Sequence, residues 1–148
     1  MTDTRLYKTL TYAGSLPFLA CAILPFAGIT ELGPFGSWDR VLLLYGLAIA
    51  SFLAGTHWAF ELARPGTYPV SLFIVSNALV LAVWLAVLVA RVPIALAVEG
   101  LAFIALLRVD RAVAAAGGTP SGYFAMRQRI TFIVVVAIIV GIAAAWLA

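Results

Sequence analysis

A chain of 148 residues with 65% hydrophobic and only 10% charged residues is no ordinary soluble domain, where apolar residues make up about half and charged ones about a quarter. Its mean hydropathy of +1.13 points to an integral membrane protein. The net charge of +3 comes from arginines placed between apolar runs, not from a basic patch suited to nucleic acid.

A bilayer core about 30 Å thick requires about 20 apolar residues per helix. Runs of that kind predict spans at about 9–29, 39–62, 68–90, 93–112 and 127–147. Continuous Leu, Ala, Val and Ile without strict alternation excludes the strands of a transmembrane barrel. The expected fold is a single domain over 1–148, an all-α, compact five-transmembrane-helix bundle. In the first run Phe18-Leu19-Ala20-Cys21 faintly resembles a lipoprotein cleavage site. The apolar stretch continues past Cys21, and Pro17 and Pro25 lie within it, so a retained, proline-kinked helix is expected. One cysteine can form no internal disulfide, and Cys21 reads as a small packing residue.

The second run carries the most information. Setting Gly46 at 0° and turning about 100° per residue puts Ala50, Ala54, His57 and Glu61 within about 80° of it. Small residues four apart allow close helix approach, so Gly46, Ala50 and Ala54 form an expected packing face, with Leu53, Thr56 and Phe60 on another side. The only histidine then points into the bundle or a partner. A structural His57 paired with Glu61 one turn away is the preferred reading, with Trp58 anchored in the interface. Ligation of a haem or metal, or contact with a quinone or lipid headgroup, are the alternatives. A lone histidine supplies one ligand, so no cofactor and no metal site is expected.

In the third run Ser76 and Asn77 are expected to hydrogen-bond between helices. Glu99 interrupts the fourth, where a carboxyl is protonated, paired with Arg91 or Arg40, or part of a proton path; pairing or snorkelling at the boundary is preferred. His57, Trp58, Glu61, Asn77 and Glu99 make up the candidate polar cluster. The stretch Gly117-Gly118-Thr119-Pro120-Ser121-Gly122 reads as a flexible turn. In the last run Ala137, Gly141 and Ala145 repeat every fourth position and require a partner helix.

Basic residues orient the bundle, since inner loops retain Lys and Arg. With the N-terminus in the cytoplasm, Arg5, Lys8, Arg64, Arg108, Arg111, Arg127 and Arg129 lie inside and only Arg40 and Arg91 outside. The C-terminus is then outside. Arg64, Arg108, Arg111, Arg127 and Arg129, with Asp110 among them, form a ring expected to contact anionic lipid or an acidic partner. No Gly-rich phosphate loop, paired-Cys motif or Ser/His/Asp set occurs. No catalytic residue is assigned, and no enzymatic activity is expected.

Leu10-Thr11-Tyr12-Ala13-Gly14-Ser15-Leu16-Pro17-Phe18, the segment Ser51-Phe52-Leu53-Ala54-Gly55-Thr56-His57-Trp58, then Leu106-Leu107-Arg108-Val109-Asp110-Arg111 and Tyr123-Phe124-Ala125-Met126-Arg127 resemble the family labelled domain of unknown function 3429. That family includes transmembrane protein 69 of animals. The resemblance implies a small multi-span protein of bacterial inner (plasma) membranes, or of the mitochondrial inner membrane in eukaryotes, and supplies no reaction. With the small-residue faces, it leads to an expected role as an accessory or assembly subunit packing against a larger inner-membrane, respiratory complex, or as a homo-oligomer. The alternative is an autonomous small-molecule or proton transporter, or a quinone, haem or lipid binder using His57 and nearby acids.

Overall fold

The computed structural model describes residues 4–147. Its helices are α1 (Thr4–Ala13), α2 (Leu16–Ile23), α3 (Trp38–Ala63), α4 (Leu72–Val89), α5 (Val92–Ala115) and α6 (Tyr123–Leu147), with short 3-10 turns at Leu24–Ala27 and Gly33–Phe35. Five stretches are long and apolar enough to cross a membrane: Arg5–Ala27, Trp38–Ala63, Leu72–Val89, Val92–Ala115 and Tyr123–Leu147. Among the described residues no strand forms, only one isolated bridge between Glu31 and Ser37. The architecture is the five-span helical bundle expected from the apolar runs.

Several boundaries differ from expectation, each for a local reason. The first span is broken between α1 and α2, not merely kinked at its prolines. Pro17 sits in the first turn of α2 and Pro25 in the first turn of the following 3-10 helix, where a missing N–H costs nothing. The break falls at Gly14-Ser15. There Tyr45 Oη of α3 donates to the Gly14 carbonyl at 2.9 Å and Ser15 Oγ donates to the Tyr12 carbonyl at 2.7 Å, so backbone exposed by the break finds partners. α4 starts at Leu72 instead of 68, because Tyr68 packs with Leu72, Val109 and Val113 in a small second core at the loop. α5 runs unbroken through Glu99, and the glycine-rich stretch after it closes the helix end. Gly117 adopts a left-handed φ of 71°, and the Gly118 amide donates to the Val113 carbonyl at 2.9 Å, a helix-terminating arrangement that needs glycine.

α5 is central, packing against α3, α4 and α6; α2 packs on α3 and α6, whereas α1 touches α6 only lightly. Gly46, Ala50 and Ala54 are buried within this bundle, and Leu53, placed on another side by the wheel, is buried with them. On α6, Ala137 and Gly141 are buried and Ala145 half-buried. A Cβ at position 141 would come within 2.7 Å of Leu42. At Gly141 the small face of α6 therefore meets α3 of the same chain. Large apolar side chains such as Phe52, Ile74, Leu85 and Phe132 cover the outside, the side a bilayer would occupy.

Candidate functional site

On α5 the apolar positions Phe103, Leu106 and Val113 recur at helical spacing and define a buried stripe; Glu99 and Asp110 lie on the same stripe. The helix period therefore carries two carboxyls into the bundle. Asp110 Oδ1 lies 2.9 Å from His57 Nε2 of α3, and Asp110 Oδ2 accepts from Arg127 Nε of α6 at 2.8 Å. With a carboxylate as acceptor, Nε2 carries the ring hydrogen and donates. All three residues are at most 4% exposed. One acid thus ties three helices together through two directional, charge-assisted bonds.

This arrangement corrects two expectations. His57 pairs with Asp110, 53 positions away, not with Glu61. Arg127 is an interior ion-pair partner and not part of a lipid-facing ring; Arg108, Arg111 and Arg129 remain exposed, while Arg64 Nη1 donates to the Ala116 carbonyl beyond the end of α5 at 2.8 Å. Glu61 turns instead to the next helix. Its Oε2 accepts from the Leu72 amide at 3.1 Å and its Oε1 from the Gly66 amide at 3.3 Å, so a carboxylate meets the amide-rich start of α4, where its charge is favoured.

Glu99 neither snorkels nor pairs with Arg91 or Arg40. It is 0% exposed, and neither carboxyl oxygen has a hydrogen-bond partner among the described residues. Its carboxyl fills the space over Gly46, where any Cβ would overlap it. Asn77 is exposed on the outer side of α4 and makes no hydrogen bond across helices among the described residues, and Ser76 returns its hydroxyl to the Leu72 carbonyl of its own helix at 2.6 Å. Trp58 is 43% exposed and stands edge-on to Phe73 at 4.8 Å between ring centroids. The five-residue polar cluster is therefore dispersed. Among the described residues, only His57 of the five joins the network, through Asp110, which Arg127 bonds in turn.

Beside that network a cavity of about 350 Å³ opens between α1–α2, α3, α5 and α6. Arg127 and Thr131 line it together with aromatic side chains from four helices, Tyr7, Phe18, Phe52 and Phe103. Arg127 Nη2 and Thr131 Oγ1 are buried without hydrogen-bond partners among the described residues. A membrane-buried threonine ordinarily returns its hydroxyl to the carbonyl one turn earlier, and Thr131 does not. The aromatic rings fit closely where the wall is complete, with Phe18 edge-on to Phe103 at 5.8 Å. Two lining residues, Leu10 and Phe52, are also exposed on the outside of the bundle.

A family model described as Protein of unknown function (DUF3429) matches residues 4–143. The chain belongs to this family. No curated protein and no solved structure matches it. For this DUF3429 protein, then, the site rests on its own geometry. Sequence reasoning placed Asp110 only in a surface ring and passed over Thr131. The signal that would have found Asp110 is its register with Glu99, Phe103 and Leu106, and that for Arg127 and Thr131 is their register with Ile130, Val134 and Ile138.

Proposed function

We propose that the protein is a non-enzymatic accessory or assembly subunit that docks onto a larger inner-membrane complex through the seam between α3 and α4. The observation that carries this reading is the exposed amide of Asn77 in that seam, which has no hydrogen-bond partner among the described residues. It lies beside Ser51, Gly55 and Trp58 in a shallow groove. Ser51, Gly55 and Ala59 are all exposed at fourth-position spacing, and the space over Gly55 is open. A bare amide facing hydrocarbon is costly and gains from a polar group on another helix. The buried small residues of α3 and α6 already pack within the chain, which leaves this seam as the face fitted to a partner.

Other observations weigh in the same direction. His57 has no exposed surface, so no substrate reaches its ring. Glu99 stands 11 residues from Asp110 on α5, roughly 16 Å along the helix axis, and Asn77 faces outward; a transporter would need such groups to converge. Seven basic residues at one end against two at the other support a cytoplasmic or matrix-side N-terminus in a bacterial or mitochondrial inner membrane. A respiratory complex is the partner class this reading favours.

Native electrophoresis and mass spectrometry of natively expressed protein in a mild detergent test the reading. Co-migration with a large complex, lost in Gly55→Leu and Asn77→Leu variants that keep their helicity, is expected. Recovery as a lone bundle overturns it. For orientation, Ser121→Cys in a Cys21→Ala background should label from the cytoplasmic side and Pro34→Cys from outside; both positions are exposed, whereas Gly118 is packed against Val113 and Tyr68.

A further inference from the structure

We infer that the cavity between α1–α2, α3, α5 and α6 is a binding site for a single-tailed membrane amphiphile whose head is a neutral, carbonyl-bearing ring, the chemistry of a prenylated quinone. This site is separate from the docking seam and does not depend on it. Two groups aim a requirement at the ligand. Arg127 and Thr131, each at most 4% exposed, are lining residues of the cavity, and Arg127 Nη2 and Thr131 Oγ1 are buried with no hydrogen-bond partner among the described residues. A buried donor left unpaired is costly, and a carbonyl oxygen between the two would satisfy both at once.

The charge of the head follows from Asp110. The Arg127 guanidinium is already matched by that carboxylate at 2.8 Å. A phosphate or carboxylate would add a second anion in a low-dielectric interior and compete for the same cation, whereas a neutral acceptor uses only the free Nη2 edge. Shape follows from the walls: Tyr7 and Phe52 offer aromatic surface to a flat ring, backed by the buried Phe18 and Phe103. A volume of about 350 Å³ lies at the small end of sites for organic ligands. The tail follows from Leu10 and Phe52, which line the cavity and are also exposed on the apolar outside of the bundle, so an alkyl chain passing beside them would reach the hydrocarbon. The His57–Asp110–Arg127 network then has a second task. By holding Arg127 Nε it fixes the plane of the guanidinium and presents Nη2 to the cavity.

Titration calorimetry of the full chain in dodecyl maltoside tests this, with decylubiquinone, decanoate and dioleoylphosphatidylglycerol as separate probes. Saturable binding of decylubiquinone is expected, in preference to both anionic probes. Thr131→Val removes a hydroxyl that has no partner and keeps the side-chain volume, so the fold should persist while affinity falls about 5- to 10-fold, the loss of one hydrogen bond. Ile49→Trp, which fills the cavity wall, should abolish binding with an unchanged circular dichroism spectrum. Absence of decylubiquinone binding, equal binding by wild type and Thr131→Val, or stronger binding of either anionic probe overturns the inference. If Ile49→Trp does not fold, the Thr131→Val comparison decides alone.

Discussion

Asp110 and Glu99 lie about three turns apart on one buried stripe of α5, and their surroundings could hardly differ more. Asp110 meets His57 and Arg127 at 2.9 and 2.8 Å. Glu99 meets the bare backbone of Gly46 and no partner among the described residues. Burial alone therefore does not define a site. The cost of taking a carboxyl out of water is offset by directional partners at one position and left standing at the other, so equivalent substitutions should have opposite effects on stability.

The largest effect should follow from stranding Asp110. Arg127→Ala is expected to destabilise the bundle by about 3–5 kcal/mol, read from thermal unfolding in detergent, and adding Asp110→Ala should recover part of that loss. A fully additive double variant would break the comparison at its stronger end. Gly46→Ala drives a methyl into the Glu99 carboxyl and should cost about 1–3 kcal/mol; strong coupling to Glu99→Ala in a double-mutant cycle would show that the space is shared. Glu99→Met replaces two unpartnered oxygens with an apolar side chain of similar size and should stabilise by about 1 kcal/mol. Loss of stability on that change would mean Glu99 has a partner after all. The smallest effect belongs to Glu61→Ala, about 0.5–1 kcal/mol, visible as faster hydrogen exchange at the Leu72 amide.

What the sequence made legible follows from which interactions are periodic. Five spans and their order come from apolar run length, and the burial of Gly46, Ala50, Ala54 and His57 from helical spacing. The break in the first span was not legible, since it depends on Tyr45 reaching the Gly14 carbonyl 31 positions away. The partner of His57 was missed for the same reason. A wheel finds Glu61 on the same face of α3, but it cannot show that Glu61 is drawn to the start of α4 while an acid 53 residues distant takes the imidazole. The register of Thr131 on α6 shows only that it is buried; that it borders a cavity depends on residues of four other helices.

The connectivity of the two acid contacts also sets an order of assembly. Glu61 is satisfied by amides 5 and 11 residues downstream, so the α3–α4 hairpin can complete its own polar accounts as it enters the bilayer. Asp110 must wait for Arg127, 17 residues later. Without the last helix, Asp110 keeps only His57, and its second oxygen lacks the guanidinium that it bonds in the finished bundle. Docking of α6 supplies that guanidinium, so the last helix to be made completes the polar interior of the first four spans.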